Sequence, residues 1–99
     1  MQEFINIRGW AHQRNLITGS TPEKQMVKLI EEVGELAAGV ARNDGAKIMD
    51  GIGDAVVVLT ILAEQYGVKI ESCIQMAYDE IKDRKGKMIN GVFVKEADL

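Results

Sequence analysis

The chain has 99 residues, a length that fits one domain covering residues 1–99. Its apolar content of 46% excludes a disordered chain, and its net charge of −3 argues against a general nucleic-acid binder, which needs a basic surface. The longest nearly apolar run, residues 55–63, is far shorter than the roughly 20 residues of a membrane span.

The first half of the chain predicts two helices. A loose apolar pattern over residues 2–17, interrupted at Gly9, indicates the first. Thr21 and Pro22 are typical of the N-cap and first position of a second helix. That helix is predicted over residues 22–42, because apolar residues recur there at steps of three and four.

A third helix is predicted over residues 47–66, after a turn at residues 43–45 and before Gly67, a residue suited to the end of a helix. The three valines at residues 56–58 favour a strand as the alternative. The run around them does not alternate between apolar and polar residues, so the helix is preferred. This helix is apolar nearly all round, which indicates burial in a core.

A fourth helix is predicted over residues 71–85, ended by Gly86. The pair Asn90-Gly91 lies between short apolar pieces and predicts a hairpin, or an arm that packs on a neighbouring subunit. The expected fold is therefore all-α, a bundle of about four helices with a short C-terminal hairpin or arm. A chain this short, with so apolar a third helix, is expected to complete its core as a homodimer or homotetramer.

Several minor features complete this picture. Met1 is followed by the polar Gln2 and Glu3, so no signal peptide is expected and the predicted location is the cytoplasm. Cys73 is the only cysteine and is expected to be a small buried hydrophobe. Four methionines are expected in the core or an interface: Met26, Met49, Met76 and Met88.

Carboxylates cluster on the second helix, where Glu35 shares a face with both Glu31 and Glu32. Taken alone, such a charge run is usually a solvated face. The third helix adds Asp50 and Asp54, four residues apart on one face of an otherwise apolar helix. An isolated carboxylate there costs several kcal/mol unless it is paired, protonated or bound to a metal ion.

A turn of a few residues makes these two helices antiparallel neighbours, so their acidic patches are expected to face each other. Four or five carboxylate oxygens in a partly buried cleft would bind a hard cation. Mg²⁺ is the expected ion, with Mn²⁺ as the alternative, because no histidine or cysteine lies near enough to favour zinc.

Residues 28–36 (Lys-Leu-Ile-Glu-Glu-Val-Gly-Glu-Leu) and 50–59 (Asp-Gly-Ile-Gly-Asp-Ala-Val-Val-Val-Leu) resemble the MazG-like members of the all-α nucleoside triphosphate pyrophosphohydrolases. These proteins carry E-E-x-x-E on one helix and E-x-x-D on the next. The resemblance covers roughly residues 10–87. The first motif matches fully, whereas in the second Gly51 stands where the family has Glu. Asp50, one residue earlier, is the nearest substitute.

The resemblance implies an Mg²⁺-dependent enzyme that hydrolyses a nucleoside triphosphate between the α- and β-phosphates and releases pyrophosphate. Such an activity would serve nucleotide-pool housekeeping. It also implies roles for individual residues. The implied metal ligands are Glu32, Glu35 and Asp54, with Asp50 as a fourth, and Glu31 would orient or deprotonate the attacking water.

Four further side chains are candidates for holding the substrate. The basic segment containing Arg84 and Lys87 resembles the family's phosphate-binding segment, and Lys28 could act in the same way; each also fits an ordinary surface position. Trp10 is the only tryptophan and is either a core residue or a platform for the base. His12, the only histidine, is a weaker candidate for a general base.

Two other functions stay open. Gly51 leaves room for a catalytically inactive module that binds a nucleotide or a protein partner. A plain helical dimerisation domain with a solvated acidic face is the third hypothesis. It predicts that Asp54→Asn is neutral or stabilising and that Mg²⁺ does not raise the melting temperature.

Overall fold

The computed structural model describes residues 1–99 and contains four helices followed by a two-stranded antiparallel hairpin. The predicted all-α architecture with a C-terminal hairpin is confirmed, and the valine-rich stretch is helical. The elements in chain order are α1 (Gln2–Gln13), α2 (Pro22–Ala41), α3 (Gly45–Gln65), α4 (Ile70–Ile81), β1 (Gly86–Ile89), β2 (Val92–Lys95) and a 3-10 turn (Glu96–Asp98).

Side-chain caps fix the starts of the two long helices. The Lys24 backbone N–H donates to the Thr21 hydroxyl at 3.2 Å, with Pro22 in the first position of α2, as predicted. Asp44 caps α3 in the same way by accepting from the Lys47 N–H at 3.2 Å. Each cap satisfies a backbone donor that has no partner within the helix.

Two predicted helix ends are wrong. Helix α1 continues through Gly9 without a break but ends at Gln13, four residues early, and Asn15 then adopts a left-handed conformation with a φ of 56°. Helix α4 ends at Ile81 instead of Lys85. The four residues after Ile81 are all charged, so they offer no apolar side chain whose burial would extend the helix.

Helices α2 and α3 pack side by side in opposite directions. A Cβ built on Gly39 would lie 3.1 Å from the Lys47 Cβ, and one built on Gly51 would lie 3.0 Å from the Leu36 Cβ. The two glycines thus allow the helices to approach closely along their shared face. This packing brings the middle of α2 opposite the first half of α3, where both acidic motifs lie.

The isolated chain buries few side chains. Its apolar core consists of Ala11, Val58, Ile61 and Ala63. The other large apolar residues are mostly exposed, and α3 is not buried all round, because Ile52 and Leu59 face solvent on one side. Such extensive exposed apolar surface is unusual for a monomer, and the expected oligomer stays a prediction.

The predictions for sulfur-containing side chains need correction. Cys73 is exposed on α4 and is not the buried hydrophobe expected. All four methionines singled out above are exposed, so none belongs to the core of one chain, and an interface role stays a prediction.

The hairpin turns at Asn90 and Gly91, as predicted, and both residues have positive φ values of 51° and 80°. Met88 pairs with Phe93, and Ile89 with Val92. No helix of the chain combines the length and apolar character needed to cross a bilayer.

Helix α1 is tied to the rest of the bundle by one ion pair and one histidine–carboxylate hydrogen bond. Arg8 binds Glu71 at the start of α4 through both guanidinium nitrogens, with Nη2 2.9 Å from Oε2. His12 Nε2 lies 2.7 Å from Glu64 Oε2 on α3. The Arg8 hydrogen bond lowers the pKa of the Glu71 carboxyl from 4.5 to about 2.

The Arg8–Glu71 pair predicts a pH-dependent contribution to stability. Because the folded-state pKa of Glu71 lies below its unfolded value, the pair stabilises the fold fully above pH 4.5 and progressively less as the pH falls towards 2. Urea unfolding of wild type and Glu71→Gln should therefore show a difference that is constant above pH 4.5 and shrinks below it. Glu3→Gln, at an exposed carboxylate of α1, is the matched control for the removal of one carboxylate. A wild-type to Glu71→Gln difference that does not change between pH 6 and 3 would contradict this account.

Candidate active site

An acidic cleft opens between α2 and α3 and has a volume of about 320 Å³. Three of the predicted metal ligands, Glu35, Asp50 and Asp54, line it together. Arg42 and Lys47 line the same cleft, so carboxylates and cations face one space. The structure thus brings acidic residues from both helices together, as expected from the antiparallel packing.

A second cleft, the aromatic cleft, adjoins the first and has a volume of about 410 Å³. Asp54 lines both clefts, so it stands at their junction. The aromatic cleft also contains Trp10, Lys28 and Glu32, three residues predicted from the sequence to belong to the site. Its remaining lining is mainly apolar: Leu16, Gln25, Val57, Val58 and Ile61.

Glu32 is the most deeply placed of the carboxylates, with 7% of the residue exposed. Its Oε1 lies 3.1 Å from Lys28 Nζ, and this hydrogen bond raises the pKa of Lys28. Its Oε2 is buried and has no hydrogen-bond partner. A buried carboxylate oxygen without a partner is costly, so this atom calls for a cation or another donor in the site.

Asp54 is half-buried on α3, opposite Glu32. Burial raises the pKa of the Asp54 carboxyl, and the negative charges of Asp50 and Glu32 raise it further. Adding positive charge at the junction of the clefts would relieve both effects. A cation bound at the junction would therefore be favoured by the carboxylates around Asp54.

The second acidic motif deviates from the family at Gly51, and the structure gives a packing reason. Gly51 is buried against α2, where an added Cβ would approach the Leu36 Cβ to 3.0 Å and its Cα to 3.2 Å. A side chain at position 51 would therefore press on the neighbouring helix. Asp50, one residue earlier, is exposed and lines the acidic cleft instead.

Other predicted site residues are not brought into either cleft by one chain. Glu31 is exposed on the outer side of α2, with its Oε2 3.8 Å from Lys28 Nζ. Arg84 and Lys87 lie beyond α4, at the base of the hairpin, and line neither cleft. His12 is paired with Glu64 and also lies outside both clefts.

Three polar residues that line the clefts were not predicted from the sequence. Lys47 precedes Asp50 by three residues and Asp54 by seven, which places all three on one face of α3. Arg42 follows Glu35 by seven residues, the same spacing on α2. Gln25 is buried in the aromatic cleft, and no local pattern distinguishes it from the other polar residues of α2.

The residues around the junction have the ligand chemistry of a site for a hard divalent cation such as Mg²⁺ or Mn²⁺. All the candidate ligands are carboxylate oxygens, which hard cations prefer. The buried Glu32 Oε2 accepts no hydrogen bond within the protein, so it is available as a ligand atom for a cation. No group of three carboxylate, histidine or cysteine side chains already has the spacing of a formed metal site. The match to a hard cation therefore rests on the type of the ligand atoms and on their positions around the clefts.

Most of the chain matches a described protein family. The model of the MazG nucleotide pyrophosphohydrolase domain family matches residues 20–89, which include both acidic motifs. An uncharacterised 18.2 kDa protein from the rep-hol intergenic region of Haemophilus phage HP1 (strain HP1c1) is 54% identical over 66 residues. That alignment covers 66% of this chain but 40% of the phage protein, so the chain spans well under half of its relative. No solved structure matches the chain significantly. Because the family model covers most of its length, the chain belongs to the MazG nucleotide pyrophosphohydrolase domain family.

Proposed function

We propose that the protein hydrolyses nucleoside triphosphates, ribo- or deoxyribonucleotides, to the monophosphate and pyrophosphate in an Mg²⁺-dependent reaction. The observation that carries the proposal is the unpartnered, buried Glu32 Oε2 beside Asp54, where the acidic and aromatic clefts meet. A substrate with a flat apolar end and a highly charged end would place the apolar end in the aromatic cleft and the charged end in the acidic cleft. Membership of the MazG family supports the same reaction class.

The metal would be held by Glu32, Glu35, Asp50 and Asp54, with Mn²⁺ as an alternative ion. When bound, it would neutralise phosphate charge and align the reacting phosphate, which is most of what phosphoryl chemistry requires. Glu32 reaches the junction from the buried side of α2, whereas Asp50 and Glu35 approach from the acidic cleft. Side-chain rotation towards Asp54 would complete the ligand set.

The cations of the acidic cleft would receive the β- and γ-phosphates. Arg42 and Lys47 face the same space as the carboxylates, so they can bind phosphate oxygens that the metal leaves free. Lys28 would act from the aromatic cleft, where its ammonium group already bridges towards Glu32. Trp10 would stack on the base.

Water attacks the α-phosphorus, the bond to the bridging oxygen of the β-phosphate breaks, and pyrophosphate leaves with that oxygen. Glu31 is the proposed base. Lys28 lies 3.8 Å from Glu31 and 3.1 Å from Glu32, so one ammonium group connects Glu31 to the buried carboxylate. A base at this rim position could accept the proton of a water molecule approaching from solvent.

An assembly of two or four chains would cover the exposed apolar helix faces. Arg84 and Lys87 lie far along the chain from the clefts, and a neighbouring subunit could supply them to the phosphates. Hydrolysis of surplus or damaged nucleotides would be a housekeeping activity on nucleotide pools, which are cytoplasmic.

Two alternatives follow from specific observations. Gly51 replaces a family ligand, which favours an inactive module that still binds nucleotide. The exposed apolar faces favour a plain dimerisation domain with a solvated acidic surface. Turnover separates the enzyme from both alternatives, and a rise in melting temperature with Mg²⁺ separates the first alternative from the second.

The proposed function is tested by measuring pyrophosphate release from a panel of ribo- and deoxyribonucleoside triphosphates, with Mg²⁺ and with EDTA. The expected result is release only with Mg²⁺ and with monophosphate as the co-product. Folded protein that releases no pyrophosphate from any of these nucleotides would refute the catalytic proposal.

The proposed phosphate contact predicts a binding defect in Lys47→Met. Methionine keeps the aliphatic stem that packs near Gly39 but removes the charge, so the Michaelis constant should rise about tenfold or more while the fold is preserved. Lys24→Met, an exposed position on the same pair of long helices, is the matched control and should leave the constant unchanged. An unchanged Michaelis constant in Lys47→Met would remove Lys47 from the site.

A further inference from the structure

The C-terminal third of the chain, which comprises α4 and the hairpin, exposes most of its apolar side chains. No residue of α4 is fully buried. The hairpin exposes between 40% and 64% of each of its large apolar residues at the turn end: Met88, Ile89, Val92 and Phe93. No extensive packing joins the hairpin to a helix of its own chain. A two-stranded hairpin is at best marginally stable when water surrounds it, so this hairpin needs a surface to pack on.

The chain as a whole has more surface than a compact domain of its size. It exposes 7313 Å², whereas a compact monomer of the same mass exposes about 5,600 Å². Its radius of gyration is 16.2 Å, against about 12.6 Å for a compact domain of this length. The surplus of roughly 1,700 Å² lies within the range that each chain of a permanent homodimer buries.

An apolar groove, the α3–α4 groove, lies at the opposite end of α4 from the hairpin. It has a volume of about 340 Å³, and all its lining side chains are hydrophobic. They come from the end of α3, the start of α4 and the loop between these helices, and include Leu59, Leu62, Tyr66, Val68, Ile70 and Cys73. No hairpin residue lines the groove, so one chain leaves it unfilled.

A stripe of apolar residues, the α4 stripe, connects this groove with the hairpin. Ile70, Ile74, Tyr78 and Ile81 follow one another at steps of three and four, which places them on one side of α4. The last three of them each expose about half of their surface. The stripe begins in the groove and ends five residues before the hairpin starts at Gly86. Groove and hairpin are thus separated by the length of α4, roughly 18 Å.

A surface with a groove at one end and a protrusion at the other is complementary to itself under a two-fold axis through its middle. When α4 packs antiparallel on α4 of a second copy, each hairpin lies at the start of the other α4, where the groove is. We propose that two copies of the chain pair through their α4 stripes and that each hairpin docks in the α3–α4 groove of the other copy.

This inference specifies the proposed assembly, and it holds whether or not the protein hydrolyses nucleotides. The second strand of the hairpin lies outside the residues that the MazG family model matches, so family membership does not imply the contact. The docked hairpin would gain the apolar cover that it lacks in one chain. The groove would gain side chains that match its wholly hydrophobic lining.

The only cysteine of the chain, Cys73, lies in the groove and is a native probe for docking. Val92→Cys adds a second thiol beside the turn of the hairpin, at a residue that is 64% exposed in one chain. Oxidation of this variant with diamide is expected to give a covalent dimer on non-reducing electrophoresis. The docked hairpin would bring thiols of two different copies within reach of a disulfide. Reduction should return the dimer to single chains.

Two controls keep the cross-link specific. Val92→Cys combined with Cys73→Ser lacks the thiol of the groove, and Lys24→Cys places the new thiol on the exposed surface of α2 instead. Both should remain single chains on the gel. A disulfide within one chain would use both thiols without doubling the mass, and would show that the hairpin folds back on its own groove. That result, no disulfide at all in Val92→Cys, or equal cross-linking in either control would overturn the inference.

Light scattering after size exclusion measures what the docking contributes to assembly. Wild type is expected to have the mass of two chains or a multiple of it. Val92→Lys in the hairpin and Val68→Lys in the groove each place a charge in the proposed apolar contact, so each should raise the dissociation constant at least about tenfold. Val40→Lys, at an exposed valine of α2, is the matched control and should leave it unchanged.

A monomeric wild type would overturn the inference. A dimer whose dissociation constant neither Val92→Lys nor Val68→Lys changes would also overturn it, because another face would then hold the copies together. None of these measurements involves a nucleotide. Failure of the docking inference is therefore distinguishable from failure of the proposed function, which pyrophosphate release tests separately.

Discussion

Glu35→Gln and Asp54→Asn are expected to lower Mg²⁺-dependent hydrolysis by about a hundredfold or more, because each removes a charged oxygen from the proposed ligand set. The two residues approach the junction of the clefts from different helices. Glu23→Gln, an exposed carboxylate in the first turn of α2, is the matched control and should retain full activity.

The same variants should separate metal binding from folding. Without Mg²⁺, Asp54→Asn should be as stable as wild type or more so, since burial and the charges of Asp50 and Glu32 disfavour an ionised group there. Adding Mg²⁺ should raise the melting temperature of wild type but of neither site variant. Equal hydrolysis rates in wild type and both variants would contradict the proposed ligand set. A melting temperature of wild type that does not respond to Mg²⁺ would favour the dimerisation domain.

Restoring the family residue in Gly51→Glu is expected to destabilise the fold by roughly 3 kcal/mol or more and to bring no gain in activity. Position 51 faces Leu36 across the α2–α3 interface, where even a Cβ is tightly placed. A glutamate there must either push the helices apart or bury its charge between them. Chemical denaturation measures the loss directly.

Two alanine variants calibrate this expectation. Gly53→Ala lies two residues away on α3, and an added Cβ meets nothing within 4 Å, so helix propensity should stabilise it by about 0.5–1 kcal/mol. Gly51→Ala gains the same helix propensity, but its Cβ presses on Leu36, so it should be the less stable of the two variants. A Gly51→Glu protein that is as stable as wild type and more active would show that Asp50 does not replace the family's glutamate.

Much of the fold could be predicted from local patterns. Thr21 and Pro22 mark a helix start through short-range chemistry, and Asn90-Gly91 marks a hairpin, so both predictions are confirmed. The ends of α1 and α4 could not be predicted as well, because they depend on which side chains find a partner to bury against. For the same reason the exposure of Cys73 was missed, since periodicity shows a helical face but not what covers it.

The candidate site was likewise predicted only in part from the sequence. Spacing alone groups Glu35 with its neighbours on α2 and Asp50 with Asp54 on α3. Antiparallel packing then places Glu35, Asp50 and Asp54 round the acidic cleft, whereas Glu32 lines the adjoining aromatic cleft. Which other side chains enter the acidic cleft depends on how the two helices are rotated about their axes. Lys47 could nevertheless have been recognised, because its spacing from Asp50 and Asp54 puts it on the same face of α3.

The most direct test of the central claim is product analysis for one triphosphate, ATP, by ion-exchange chromatography, with wild type and Glu35→Gln in Mg²⁺ or EDTA. The account predicts AMP and pyrophosphate in equal amounts from wild type in Mg²⁺, and almost none in EDTA or from Glu35→Gln. ADP and phosphate as products, or equal turnover by Glu35→Gln, would contradict it.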